Sequence, residues 1–271
     1  MLILAATPIG NIADASRRLI STIEQATDIA CEDTRVFRQL CQALGVKSAA
    51  RAHSLHEHNE REKLELLLRL AADTDLVVLS DAGMPTISDP GYILVRQAVE
   101  RGIQVSVIPG PSAVLSGLAI SGLPTDSFSF LGFLPRKSGE RRSLFESVRN
   151  LGHTLIFFES PHRIAQSLED AAEVLGNRSA AVAREITKKF EEVKRGTLTE
   201  LADWAQKEIK GEVVLLIEGA SATDLDYELL AQDAIRLAAR GLSMKDACAS
   251  VSELKGGSKN EIYEHVLRQK A

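Results

Sequence analysis

The chain has 271 residues, 45% of them hydrophobic and 25% charged, with 32 Lys and Arg against 37 Asp and Glu, a formal net charge of −5. That length makes one large or two modest domains, and the apolar fraction excludes a disordered chain. The acidic balance excludes a surface coated in basic charge for nucleic acid and leaves room only for local basic patches.

In chain order, residues 2–6 form a short apolar strand that ends in the turn TPIGN at 7–11. Residues 13–25 place Ala15, Leu19, Ile23 and Ala26 on one face, a helical period. Residues 28–31 are a strand, 34–44 a helix closed by Gly45, 49–55 a weaker strand, and 59–72 a charged helix. The run DLVVLS at 75–80 is strongly apolar, as buried parallel strands are. A Gly/Pro loop at 81–91, a helix ending at Glu100 and a strand at 103–108 follow, and Ser112 caps a helix at 113–121. This alternation predicts an α/β fold with a parallel sheet covered by helices on both faces.

Gly122-Leu123-Pro124 breaks the pattern, so 1–121 is expected to be one α/β domain and 122–220 a second. The second has strands at 127–133, 154–158, 180–186 and 212–217, with helices at 140–149 and 163–175. Another helix, carrying Leu201 and Trp204, begins at the capping-box pair Thr197 and Glu200. Residues 226–239, 244–251 and 260–267 read as helices, making 221–271 a helix-turn-helix-like tail. Cys31, Cys41 and Cys248 share no metal-type spacing, which disfavours a disulfide framework or zinc site and points to a reducing, cytoplasmic setting. The apolar start is too short for a signal peptide, and no run reaches the ~18 apolar residues of a membrane span.

The loop DAGMPTISDPG at 81–91 follows an apolar strand, where open α/β sheets bind ligands. Gly83 and Gly91 permit close backbone approach, and Asp81 and Asp89 are acceptors for hydroxyl, amine or sulfonium groups. The turns at 7–11 and 109–112 end two more strands and could line the same cleft. None fits a Gly-rich phosphate fingerprint, so the usual nucleotide-phosphate modes are disfavoured. Glu32, Asp33, Thr34 and Arg35 open a helix, where they either shape a pocket or simply cap it. His53, His56 and His58, with Glu57 and Glu60, match no standard metal spacing, and no metal is expected.

Arg136, Lys137, Arg141, Arg142 and Arg149 cluster at a helix start, as either a solvated face or a phosphate-contacting patch. From Arg236 onward seven basic residues face four acidic ones, +3, leaving −8 for the rest of the chain. The stretches 157–163 and 184–188 end two strands and either face the cleft from the other side or make interdomain salt bridges, the default for Arg184 and Glu185.

Taken together, TPIGN, EDTR, HSLHEHNE, SDAGMPTISDPG, IPGPSA, GFLPRK, FFESPHR and AREITK, in that order, resemble the ribosomal RNA small subunit methyltransferase I family of tetrapyrrole-methylase-like enzymes. The resemblance covers about residues 2–220, and the tail looks like that family's C-terminal helix-turn-helix domain. It implies two α/β domains with S-adenosylmethionine in the cleft between them, a homodimer, and 2′-O-methylation of a cytidine ribose in small-subunit ribosomal RNA on an assembled subunit. Cofactor contacts are expected from Pro8, Asp81, Ala82, Gly83, Ile87, Asp89, Ser112, Ala113, Leu131, Phe158 and Glu185. A base for the ribose hydroxyl is sought among Asp33, Glu32, His56 and Glu185, and RNA contacts among Arg35, Arg136, Lys137, Arg141 and Arg142. Met84 stands where the family commonly has Thr, and a methionine donates no hydrogen bond. The alternatives are a methyltransferase of a tetrapyrrole or other small molecule, and a non-enzymatic RNA-binding assembly factor.

Overall fold

Two of the five four-residue strands of the first sheet, DIAC and LVVL, are buried throughout, while RAHS at its edge is exposed or half-buried. The computed structural model describes residues 1–56, 58–221 and 225–270; Glu57 lies outside the described residues, as does the side chain of Lys270. The strands β1 (Leu2–Ala5), β2 (Asp28–Cys31), β3 (Arg51–Ser54), β4 (Leu76–Leu79) and β5 (Val105–Ile108) alternate with α1 (Arg17–Gln25), α2 (Thr34–Leu44), α3 (Glu60–Asp73) and α4 (Tyr92–Glu100), and α5 (Ala113–Ser121) follows β5. They form a five-stranded sheet in the order β3-β2-β4-β1-β5, and every pairing is parallel.

One apolar cluster, with Leu19, Ile23, Phe37 and Val77, and another, with Leu67, Leu68, Leu76 and Leu94, bury the side chains of these strands and helices. This is the expected parallel α/β arrangement. The helix expected over 13–25 is shorter. A 3-10 turn occupies Ile12–Asp14, and α1 starts only where Ser16 caps it by accepting from Leu19 N.

The second sheet is built from β6 (Phe128–Phe133), β7 (Thr154–Glu159), β8 (Ser179–Arg184), β9 (Glu192–Thr197) and β10 (Val213–Ile217), with α6 (Ser138–Val148), α7 (Ile164–Leu175) and α8 (Leu198–Trp204). Its order is β6-β7-β10-β8-β9, and only β6 and β7 run parallel. The expected capping box is present, with Thr197 and Glu200 bonding reciprocally. Sequence patterning missed β9, whose EVKRGT reads as a charged loop. It lies at the sheet edge, where charged side chains are tolerated and even protective.

Among the described residues three helices follow, α9 (Tyr227–Ala238), α10 (Met244–Lys255) and α11 (Lys259–Lys270), around a core that includes Leu230, Ala247, Val251 and Ile262. Counted from the start of α9, Glu228 and Asp233 join the acids, so seven basic residues face six acidic ones and the tail carries +1 rather than +3. Asp233 also takes both Lys255 and Arg236 as ion-pair partners.

By packing, the chain divides into Met1–Ser116 with Glu185–Glu191 as one unit, and Gly117–Arg184 with Glu192–Ala271 as the other. The first unit is therefore not contiguous in sequence. Arg184 and Glu185 fall on opposite sides of this division; Arg184 pairs with Glu192 at 2.6 Å, and Glu185 with Lys188 at 3.0 Å. Each of these two pairs lies within one unit.

Candidate functional site

In the first unit the C-terminal ends of β1, β2 and β4 carry the loops that sequence singled out. Thr7 and Gly83 form an isolated antiparallel bridge: Thr7 N donates to Gly83 O at 2.9 Å, and Gly83 N donates to Thr7 O at 3.1 Å. The buried Ser80 and Thr7 hydroxyls tighten the same junction, donating to Gly83 O and Ser80 O. Gly83 has φ 82, and an added Cβ would lie 3.3 Å from Ile9 and 3.6 Å from the Pro111 carbonyl. Here the glycine serves both a left-handed backbone and a close approach. Thr86 and Ser88 also have positive φ, strain of the kind that collects at ligand-binding loops.

Four carboxyl groups gather on these loops. Asp81 Oδ1 accepts the backbone N–H of Asp33 at 3.2 Å, tying the loop after β4 to the start of α2. Asp33 caps α2 through Arg35 N and binds the Arg35 guanidinium at 2.6 Å, which holds its carboxyl down at about 2. Such a group is ionised at neutral pH and is a weak base. Burial raises Asp81 above the usual carboxylate range, with Asp33 adding to it. Asp89 is pushed up to about 7 by burial, then by the charges of Glu32 and Asp81. Burial takes the Cys31 thiol beside them to about 12. The cluster is therefore short of positive charge. Arg35 neutralises Asp33 but leaves Asp81 and Asp89 disposed to receive a cation or to donate as acids.

The remaining expected residues of this unit lie as follows. Ala82 and Ile87 are exposed on the 81–91 loop, and Pro8 and Ser112 are half-buried on the other two turns. Ser112 Oγ accepts weakly from Leu115 N, at 3.5 Å, ahead of Ala113. Met84 lends its carbonyl, not its side chain, to Ile87 N at 3.4 Å. The histidines have local partners or neighbours. His53 bonds the buried Asp28 at 2.8 Å, and His56 stands edge-on to His58 at 6.1 Å. Glu60 is buried and accepts from Leu94 N, serving the first turn of α4 where Gly91 has no side chain to cap it. Glu185 has φ 51 and pairs with Lys188.

In the second unit, Phe158 on β7 stands edge-on to Phe130 at 4.8 Å and to Phe133 at 5.3 Å. The strand register shifts between Phe130 and Phe133, where Gly132 has φ 72, and this bulge leaves Leu131 half-buried and Phe133 exposed. The buried Glu159 of FFESPHR pairs with the half-buried Arg163, with Ser167 Oγ donating to Glu159 at 2.6 Å.

The basic cluster divides sharply. Arg136 and Lys137 are exposed, and Lys137 pairs with Glu140 at 3.1 Å. Arg142 is half spent on Asp170 and Glu173. Arg141 is 1% exposed; its Nε donates to Asp170 at 2.8 Å and its Nη1 to the carbonyls of Pro135 and Arg136. The expectation that Arg141 meets RNA is corrected. It is an interior strut that positions the turn bearing Arg136 and Lys137.

The tetrapyrrole (corrin/porphyrin) methylase family matches residues 1–202, and the RsmI C-terminal HTH domain matches 227–270. A ribosomal RNA small subunit methyltransferase I of Mesorhizobium japonicum is 44% identical, covering 99% of this chain and 92% of the relative. Another, from Escherichia coli O157:H7, is 41% identical, covering 99% and 95%. The chain belongs to the ribosomal RNA small subunit methyltransferase I family. The family is a branch of the tetrapyrrole methylases, and the chain is a methyltransferase.

Solved structures share the tetrapyrrole methylase fold. A diphthine synthase superposes with TM-score 0.64 at 14% identity, covering 97% of this chain and 99% of that one. A uroporphyrin-III C-methyltransferase from Thermus thermophilus, complexed with S-adenosylhomocysteine, superposes at 0.54 and 18% identity, covering 80% and 96%. At these identities the likeness is one of fold.

Proposed function

We propose that the chain transfers a methyl group from S-adenosylmethionine to the 2′-oxygen of a cytidine ribose in small-subunit ribosomal RNA, acting on the assembled subunit in the cytoplasm. The observation that carries the cofactor reading is the carboxyl cluster on the bridged loops after β2 and β4. S-adenosylmethionine brings an ammonium, a sulfonium and ribose hydroxyls, and the acceptors Asp81 and Asp89 suit that set. The cofactor supplies an activated methyl group. The protein then has to align the ribose oxygen with it and exclude water.

The exposed Ile87 offers an apolar wall, the backbone of Ala82 offers hydrogen bonds beside the acids, and Gly83 offers close approach. For the ribose proton, Asp33 is too acidic to act well as a base, which leaves Glu32, His56 and Glu185. Exposed Arg35, Arg136 and Lys137 are the cations proposed for RNA phosphate. A homodimer belongs to the same proposal, supported by the apolar exposure of Val107 and Leu115 in the first unit.

The deciding experiment supplies labelled cofactor with assembled small subunits, naked ribosomal RNA and small tetrapyrroles. Label is expected in the 2′-O-methyl of one cytidine, with the assembled subunit preferred. Label confined to the pigments would overturn the reading.

Asp89 gives a test that needs no substrate. Its carboxyl has an ordinary value of 3.8 and a folded value of about 7, so folding takes up a proton between those limits. Its ionisation opposes the fold increasingly as pH rises from about 4 to 7 and levels off above. Asp89→Asn is therefore expected to gain thermal stability over the parent at pH 8 and to lose that advantage toward pH 4. Thermal melts across this range read the gap, and a gap that does not vary with pH would refute the assignment.

A further inference from the structure

A hairpin between β8 and β9 needs only a short turn, yet this chain spends seven residues there, Glu185–Glu191, and they pack with the first unit. Their base is tightly held. Glu185 and Thr187 both have positive φ, at 51° and 66°. Asn11 N donates to Thr187 Oγ1 at 3.1 Å, Thr187 N donates to the Glu191 carboxylate at 2.6 Å, and Lys188 N donates to Glu185 O at 2.9 Å. Gly10 fits so closely that an added Cβ would lie 2.4 Å from Lys188 Cγ and 2.8 Å from Thr187 Oγ1.

The tip is the opposite. Lys189 is exposed, Phe190 is 65% exposed, and the Lys189 ammonium lies 5.5 Å from the centre of the Phe190 ring. Beside the tip opens a cavity of about 640 Å³ lined by Gly10, Asn11, Ile12, Thr187, Lys188 and Lys189, with no carboxylate among them. A strained, anchored base holding an exposed aromatic ring and a cation is the pattern of a preorganised contact, since an unbound surface gains nothing from it.

We propose that the Lys189–Phe190 tip and its cavity form a seat for single-stranded RNA: a base stacks on Phe190, and the neighbouring phosphate meets Lys189. Rings of this kind accept any base, and lysines beside them follow the backbone. Lys188 is paired with Glu185, but the exposed Lys189 ammonium stands over the ring, and this cation favours RNA over an apolar protein partner. The seat continues into the cofactor loops through residues 7–11, where Asn11 meets Thr187 and Thr7 pairs with Gly83. It therefore takes a nucleotide flanking the methylated ribose, an assignment that rests on the RNA reading above.

The test uses the full chain, unmethylated small subunits and a single-stranded RNA oligonucleotide. Phe190→Ala and Lys189→Ala are each expected to raise KM for subunits by roughly tenfold or more. The same variants should leave kcat within about twofold and cofactor affinity unchanged, and weaken oligonucleotide binding in parallel. Phe190→Trp should restore both KM and binding. Unchanged KM and unchanged oligonucleotide binding would overturn the seat, as would a fall in thermal stability or an altered oligomeric state in place of the KM effect. Should the parent fail to methylate subunits, the functional reading falls, while oligonucleotide binding by parent and variants still decides the seat.

Discussion

Replacing Arg141 by alanine is expected to destabilise the protein by about 3–5 kcal/mol, the range for breaking a buried ion pair by removing one partner. Asp170 is itself buried, and the loss leaves it facing the interior with only Ser138 and the outer Arg142 to satisfy it. The carbonyls of Pro135 and Arg136 lose their donor as well. Denaturant melts check the size, and a loss below about 1 kcal/mol would contradict the burial. A paired Arg141→Met, Asp170→Leu change should recover part of the stability, because apolar side chains of similar volume often replace a buried pair without cost, while the Pro135 and Arg136 carbonyls stay without their donor. RNA affinity measured on that double variant then separates a strut from a phosphate contact.

Asp81→Ala is expected to weaken S-adenosylmethionine binding about 10- to 100-fold, the loss of one charge-assisted hydrogen bond of about 1.5–3 kcal/mol. Two effects act together. The variant removes a carboxylate from the cation site, and it frees Asp33 N from the Asp81 side chain that ties two loops together. Calorimetry reads the affinity, and Asp81→Asn separates the effects: the amide retains an acceptor for Asp33 N but not the charge. Asparagine restoring full affinity would mean that Asp81 serves only the loop. An alanine variant that binds as the parent does would remove Asp81 from the cofactor site.

Periodicity made the first sheet readable because a parallel sheet buries both faces and leaves whole runs such as LVVL with no polar residue. The caps were equally legible. Gly45 ends α2 in the left-handed conformation, and Thr197 with Glu200 starts α8. Patterning failed where charge lay on regular structure. The edge strand β9 carries Lys194 and Arg195, and its loss from the reading also hid the segment before it. A second failure concerned the fate of charge. Arg136, Lys137, Arg141 and Arg142 look alike in sequence, yet Asp170, on another helix, draws Arg141 inward and occupies part of Arg142. Linear spacing carries no sign of a partner about thirty residues away. The carboxyl groups of the 81–91 loop were visible, but their elevation was not, since it comes first from burial and then from acids brought close in the fold, Asp33 beside Asp81 and Glu32 beside Asp89.

The return of Glu185–Glu191 to the first unit also bears on the order in which the protein can be made. A chain emerging from its N-terminus has all five strands of the first sheet once Ile108 is out, but the Thr187 contact to Asn11 must wait for most of the second sheet. Domains of a growing chain generally fold as units, N-terminal first. Here the first unit can close its sheet early and can receive its last piece only late. A nascent chain halted after Ser116 is thus expected to hold the carboxyl cluster without the Lys189–Phe190 tip, so that the loops proposed for the cofactor take shape before the segment proposed to receive the substrate.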